Sequence, residues 1–557
     1  MLRPLAALTP RQRTLLAATG LLVVVAVPLR GLLLRQGPPM EEGFMLVFAE
    51  QFLHGMVPNK DFLHLYGPGG IWALAGVFKV FGVSLFTERM VGLAQVLGII
   101  FGVFVLVLRP WGRTLALMAG VITALIIIPP IGLAALAWNG AVAFGLLGIF
   151  AGVGSTQART QRGRDGLALT SGALLGLAVL YRPDLVVGVG LVLVFLVPRL
   201  APRARARLLV AGALVLSLFG IQIAMAGLHS SIQGMILDPV FHLRAGRSLP
   251  LPPNWNHFDG FLIATGDNDA LKWPIPHIWS PAQLTIWFFL LLVGVAGLVG
   301  VSWWLRRREG WSLRVLTLVL VTALSVGILP QALQRPDTTH LAWVSCVPFG
   351  FFLVAGVEWW RAHRPTFSWL RILVLGTVPV LVILYLVIPN FMVRDYADLS
   401  AQTFGIHRKS FAIRHDGRVF YYGRQDVPQA LNEILPLADK ISKPGDRLFV
   451  GTGDLRKTPY SDAFLYYMLP KLTPATYYIE MDPGVANAKD SRLARDVASA
   501  NIVILSRVWD NWVEPNASRD FGPEKPNQVL KDHFCTVLDT KLYVLLRRCA
   551  HGNAPVP

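Results

Sequence analysis

Val91-Gly92-Leu93-Ala94-Gln95-Val96-Leu97-Gly98-Ile99-Ile100-Phe101-Gly102-Val103-Phe104-Val105-Leu106-Val107-Leu108 holds no charge, and it ends on Arg109-Pro110-Trp111-Gly112-Arg113. As a helix this run rises about 27 Å, which with its flanks crosses the hydrocarbon core of a bilayer. Arginines directly after an apolar run mark a cytoplasmic loop. The same unit repeats along the chain. Spans are expected at 14–34, 88–108, 114–130, 138–154, 166–181, 185–198, 208–227, 284–305, 313–331, 341–360 and 371–389.

Composition points the same way. Of 557 residues, 54% are hydrophobic and only 15% charged, where a soluble chain carries about a quarter charged residues. Mean hydropathy is +0.52. The formal net charge of +18 comes from arginines clustered between apolar runs, so it marks membrane topology and no nucleic-acid partner is expected. After residue 392 the long apolar runs stop. The expected fold class is therefore a mostly α, polytopic helical membrane protein with about eleven spans. A transmembrane domain, 1–392, precedes a C-terminal soluble α/β domain, 393–557.

Arginine also sets the orientation. Arg109 and Arg113; Arg159, Arg162 and Arg164; and Arg199, Arg203, Arg205 and Arg207 fall on the side of the N-terminus. So do Arg306, Arg307, Arg308 and Arg314, then Arg361, Arg364 and Arg371. The positive-inside rule makes that side cytoplasmic. Loops 35–87 and 228–283 and the C-terminal domain then lie on the extracytoplasmic face of the plasma membrane. Arg3, Arg11 and Arg13 precede the first apolar run, which lacks a small-x-small cleavage site and continues to Leu34; an uncleaved span is expected.

Unusual polar residues gather on that outer face. The first loop reads Pro39-Met40-Glu41-Glu42-Gly43-Phe44, then Leu53-His54-Gly55, Asp61-Phe62-Leu63-His64 and Tyr66-Gly67-Pro68-Gly69-Gly70. Phe44, Val47, Phe48 and Phe52 recur at near-helical spacing, which predicts an amphipathic helix along the membrane interface. Glu41 and Glu42 stand at its N-terminal end, where one acid would complement the helix dipole; two adjacent acids suggest a catalytic or substrate-binding role. Two span ends share one signature, Arg182-Pro183-Asp184 and Arg335-Pro336-Asp337, the latter followed by His340. Charges at that depth must pair or face a hydrated cavity. Each Arg has its own Asp as a local partner; alternatively the arginines fork onto a lipid phosphate.

The run Glu41-Glu42-Gly43, Leu53-His54-Gly55, Asp61-Phe62 and Gly67-Pro68 resembles the opening of GT-C glycosyltransferases, most of all the family 39 branch of protein mannosyltransferases and aminoarabinose transferases. The likeness is specific over the first hundred residues or so and architectural beyond them. It implies transfer of a sugar from a polyprenyl-phosphate donor to an extracytoplasmic glycan or protein acceptor, with inversion and with membrane lipid as a partner. A first-loop carboxylate is the base in that family. Glu41 and Glu42 both match its position, with Glu42, next to Gly43, preferred. Asp61, His64, Tyr66, Arg182, Asp184, Arg335, Asp337 and His340 are the expected substrate-binding residues. Relatives often carry a Lys before the Pro-rich turn; this chain has none there, which leaves His64, Arg182 or Arg335 to meet the donor phosphate. A transporter or flippase of lipid-linked glycans is the alternative reading, but it would place charges near mid-membrane.

In the C-terminal domain, strand-like runs (447–450, 501–505, 542–546) alternate with helical stretches (426–440, 461–469). Aromatic and polar residues mix in Thr458–Tyr467, in Thr476-Tyr477-Tyr478-Ile479-Glu480-Met481 and in Trp509–Asn516, a composition suited either to a carbohydrate surface or to an ordinary core. Cys535 and Cys549 would be free to pair in an oxidising compartment. No phosphate-binding loop, dinucleotide fingerprint or zinc-type pattern is present, so no cofactor is expected, while a divalent metal is neither supported nor excluded.

Overall fold

The computed structural model describes residues 9–35, 37, 39–252, 280–363, 393–406, 410–510 and 514–549. The span expected at 371–389 and the domain boundary at 392 lie outside these residues.

The opening run becomes part of a 27-residue helix, Leu85–Trp111. Ser84 caps its start by accepting from the Thr87 N–H, and Gly112 ends it at φ 92°, a left-handed conformation that favours glycine. Six helices among the described residues are long and apolar enough to cross a membrane: Pro10–Leu34, Leu85–Trp111, Ala137–Gln157, Pro202–Ala226, Gln283–Glu309 and Leu313–Gln334. Thr338–Ser345 and Pro348–Ala362, bent by 45°, pass the same test together, as a broken span or a re-entrant loop. The spans expected at 114–130, 166–181 and 185–198 are helical too, as Arg113–Ile131, Gln161–Tyr181 and Val186–Leu196. This is a multi-pass membrane protein.

Six helices frame the site. They are α1 (Pro39–Leu53), α2 (Gly69–Phe81), α3 (Leu85–Trp111), α4 (Gln161–Tyr181), α5 (Leu313–Gln334) and α6 (Thr338–Ser345). The expected helix in the first loop forms as α1, but it does not lie with one face at an interface. Nearly every residue from Pro39 to Gln51 is buried, because the C-terminal domain covers the side that would otherwise meet lipid or water.

That domain is an α/β unit. Its strands are β1 (Phe411–His415), β2 (Arg418–Tyr422), β3 (Arg447–Thr452), β4 (Thr473–Pro474), β5 (Ile502–Ser506), β6 (Phe534–Asp539) and β7 (Tyr543–Arg548). β1 and β2 form a hairpin, and the rest form one mixed sheet in the order β4-β3-β5-β7-β6. The three strand-like runs of the sequence are thus the adjacent central strands. β5 is parallel to β3 and antiparallel to β7, and all five of its residues are buried, as suits a continuously apolar strand covered on both faces.

The domain docks on α1 at two points. Arg418 holds Glu50 through both carboxylate oxygens, at 2.8 and 2.5 Å. Above it, a Cβ on Gly43 would lie 2.6 Å from the Phe464 backbone nitrogen, so only glycine permits this approach. Gly67 does the same elsewhere: a Cβ there would overlap the Leu180 carbonyl oxygen at the end of α4. Gly43 and Gly67 of the first-loop motif are therefore packing requirements, whereas Gly55 has open space around it and takes φ 90°.

Cys535 and Cys549 are joined, with Cα atoms 5.3 Å apart, tying edge strand β6 to the end of β7 across 14 residues. Replacing both by serine is expected to destabilise the domain by about 3 kcal/mol. Thermal unfolding of the detergent-solubilised protein checks this: reductant should lower the wild-type transition to that of the variant and leave the variant unmoved.

Candidate functional site

A cavity of about 530 Å³ opens where α1, the ends of α4 and α5, the start of α6 and the segment 235–247 converge. Its polar lining includes Glu41, Tyr66, Arg182, Asp184, Arg244, Arg247, Arg335 and His340. Four arginines thus face two carboxylates. Its apolar side is formed by residues such as Val186, Val187, Ile236 and Val240, all roughly half exposed (46–57%). One end of the space is cationic and the other is greasy.

The two first-loop acids diverge. Glu42 is fully buried and forms a fork with Arg89 of α3, Nε to Oε1 and Nη2 to Oε2, both at 2.8 Å. The third nitrogen of Arg89 donates to the Leu32 and Leu33 carbonyls at 3.2 and 2.8 Å. Glu42 is therefore spent on holding the loop to the span. Glu41 is partly exposed and lines the cavity. Burial raises its pKa above the ordinary 4.5; its backbone contact, Arg247 and Arg335 pull it down, and Asp337 pushes it up.

Asp61 and His64 do not reach the cavity. Asp61 closes a turn by accepting from the Val57 N–H at 2.7 Å. His64 packs edge-on to Phe48 and Tyr66, and burial lowers its pKa to about 4, so it is a neutral ring near pH 7. Tyr66 does line the cavity. The Arg182 guanidinium lies 4.7 Å from the Tyr66 ring centre and 5.1 Å from that of Trp138, the flat-on arrangement of a cation on aromatic faces.

Both Arg-Pro-Asp sites make the local pair and also meet at the cavity. Arg182 forks onto Asp184 at 2.9 and 2.7 Å, and Gln331 of α5 donates to the same carboxylate. Arg335 reaches Asp337 at 2.6 Å and the Arg247 carbonyl oxygen at 2.8 Å. It also pairs with Glu514 of the C-terminal domain. Asp337 caps α6, accepting from the His340 N–H and ring Nδ1, both at 2.8 Å. Burial opposes ionisation of Asp337, but His340 and Arg335 win and hold its pKa well below the usual carboxylate range.

Sequence reading missed Arg244, Arg247 and Glu514. Arg244 and Arg247 sit in a short helix, Leu243–Arg247, that follows a π-helical stretch, Gln233–His242, in the second loop. Arg247 is bound to Asp482 at 2.6 Å. Arg244 is exposed and, unlike the other three arginines, has no carboxylate partner among the described residues. The cluster Arg244-Ala245-Gly246-Arg247 was a visible signal, because no other arginine lies in the loop 228–283. Among the described residues no group of His, Cys, Asp and Glu is arranged to hold a metal.

Breaking the Glu42–Arg89 fork leaves a buried charge alone, at a cost of about 3–5 kcal/mol. Glu42→Gln is expected to lower thermal stability markedly, whereas Glu42→Leu combined with Arg89→Met should recover most of the loss. Melting curves of the three proteins decide it, and equal stability of Glu42→Gln and wild type would exclude this role.

By sequence the chain matches no protein-family model and no functionally curated protein. Its structure is similar to that of the archaeal oligosaccharyltransferase AglB from Archaeoglobus fulgidus, solved with an inhibitory peptide and a dolichol-phosphate. The TM-score is 0.50 at 11% identity, over 95% of this chain and 74% of that one. An Archaeoglobus fulgidus oligosaccharyltransferase tethered with an acceptor peptide gives 0.50 at 11% identity, over 93% and 72%. ArnT from Cupriavidus metallidurans, bound to undecaprenyl phosphate, gives 0.48 at 14% identity, over 96% and 98%. At such identities the likeness is one of fold. This chain shares the fold of those oligosaccharyltransferase structures.

Proposed function

We propose that the protein transfers a sugar from a polyprenyl-phosphate donor to a hydroxyl-bearing acceptor at the extracytoplasmic face of the plasma membrane. The observation that carries this reading is a single cavity holding a carboxylate, an excess of arginine and an apolar mouth. The prenyl chain lies against the Val186, Val187, Ile236 and Val240 side, and its phosphate meets Arg244, supported by Arg182 and Arg247. Glu41 takes the proton of the acceptor hydroxyl as its oxygen bonds to the anomeric carbon. The bond from that carbon to the donor phosphate breaks, and the electron pair leaves with the phosphate, whose charge the arginines stabilise. Attack opposite the leaving group inverts the anomeric centre. The base assignment moves from Glu42, preferred on sequence, to Glu41, because a carboxylate locked in a buried fork is poorly placed to take a proton. The bias of arginine to the opposite side and the Cys535–Cys549 bond support the assigned face. The AglB structure, solved with a dolichol-phosphate, supports the donor class.

Glu41→Gln is expected to reduce turnover of radiolabelled undecaprenyl-phosphate sugars by about 10²–10⁴-fold while the protein still binds undecaprenyl phosphate. Wild-type activity is expected to fall as the medium is acidified, because the base works only when ionised. The midpoint lies above the ordinary carboxylate value of 4.5, since burial raises the pKa of Glu41. Full activity in Glu41→Gln would exclude it as base.

Arg244→Ala is expected to weaken binding of undecaprenyl phosphate about tenfold, the loss of one charge-assisted contact. Microscale thermophoresis in nanodiscs measures it, and an unchanged affinity would remove Arg244 from the phosphate site.

A further inference from the structure

The end of the helical bundle opposite the cavity carries a surplus of positive charge. α5 has 22 residues and rises about 33 Å, so its first turn lies a membrane's thickness away from Arg335. The acids of the connecting segments and span ends on that side are Asp165, Glu309 and Glu358. Asp165 pairs with Arg203 at 3.0 Å. Glu309 meets Arg314 at 3.3 Å, and Glu358 meets Arg314 and Arg361 at 3.2 and 3.4 Å. Every acid there is taken, and Arg199 and Arg306 have no carboxylate partner among the described residues.

These two arginines are nevertheless drawn together. Arg199 ends a 3-10 turn, Val197–Arg199, that follows the helix Val186–Leu196, and Arg306 lies in the last turn of Gln283–Glu309. Both helices pack against α5. The guanidinium carbon of Arg199 lies 3.8 Å from the centre of the Trp311 ring, and that of Arg306 lies 4.5 Å from the same centre. An indole attracts a cation by about 0.5–2 kcal/mol, but here it gathers two like charges around one ring. Arg205 adds a third nearby, its Nε donating to the Val197 carbonyl at 3.2 Å. Burial, then Arg306, pulls the Arg199 pKa below its ordinary value, as expected of a cation without a counter-charge. Toward the middle of the bundle the same two helices turn apolar and outward. Phe195, one turn before Arg199, and Val299, two turns before Arg306, are both exposed.

We propose that Arg199, Arg306 and Trp311 form a binding site for the phosphate of an anionic phospholipid in the leaflet at this end of the bundle. Guanidinium groups fork onto phosphate oxygens, and here two of them come from different helices to one point. The phosphate supplies the missing negative charge, and the acyl chains lie along Phe195 and Val299. Indole rings sit well at headgroup depth, and basic pockets between spans at that depth suit anionic lipid headgroups. The site stands independently of the reading of the cavity.

Native mass spectrometry of the full-length protein, titrated in detergent micelles with phosphatidylglycerol or phosphatidylcholine, tests this. Wild type is expected to bind phosphatidylglycerol about tenfold more tightly than phosphatidylcholine, the size expected of one charge-assisted contact. Arg199→Gln combined with Arg306→Gln should lose that preference. Arg162→Gln combined with Arg207→Gln removes the same charge from exposed arginines on this side and should keep it. Inorganic phosphate at millimolar concentration should not displace the lipid, because it has no acyl chains to hold it. In phosphatidylcholine nanodiscs the Arg199/Arg306 variant should melt no lower than wild type, since two neighbouring like charges are gone. Equal binding of both lipids by wild type, a preference that survives in the Arg199/Arg306 variant, or an equal loss in the Arg162/Arg207 variant overturns the proposal. So does displacement by phosphate, or a lower melting temperature of the Arg199/Arg306 variant in phosphatidylcholine, which would mark the pair as purely structural.

Discussion

The fork between Glu42 and Arg89 sets the rotation of α1. Successive residues on a helix point about 100° apart, so burying Glu42 against α3 turns Glu41 to another side, where the cavity lies. The fork also uses the Leu32 and Leu33 carbonyls, which anchors the chain on both sides of the loop's start. Glu50, two turns further along α1, takes Arg418 of the C-terminal domain. One short helix thus binds a span through Glu42 and the soluble domain through Glu50, while Glu41 is left facing an open space.

The cavity itself is electrostatically assembled. Several arginines in one low-dielectric space repel one another strongly, and each of three is met by a carboxylate: Arg182 by Asp184, Arg247 by Asp482, and Arg335 by Asp337 and Glu514. Two of these acids, Asp482 and Glu514, come from the C-terminal domain. That domain is consequently part of the charge balance of the membrane site, and its docking and the positioning of the arginines depend on each other. Arg244, without such a partner among the described residues, supplies a positive charge that an anionic ligand would meet.

Much of the fold was legible in the sequence because its physics is local. Apolar runs of membrane length, and a switch to short alternating strand and helix signals after residue 392, need no knowledge of long-range contacts. Glu41, Tyr66, Arg182, Asp184, Arg335 and His340 were likewise visible, since charges at apolar span ends stand out by themselves. Asp61 and His64 share the loop and the motif but serve its turn and its packing, and nothing in their local sequence separates them from Tyr66. Arg244 and Arg247 belong to no motif, and their one signal was their pairing in a loop that holds no other arginine.

The sequence by itself determined that the chain crosses a membrane many times, that an α/β domain follows, and that two adjacent acids open the first loop. These follow from hydrophobicity and periodicity, which act residue by residue along the chain. Only the tertiary structure decided which of two adjacent glutamates is buried and which faces the cavity, and that residues separated by hundreds of positions share one site. Helix rotation depends on what packs against each face. The partners of Glu42, Glu50 and Arg335 are Arg89, Arg418 and Glu514, each brought near only when the spans and the C-terminal domain close around α1.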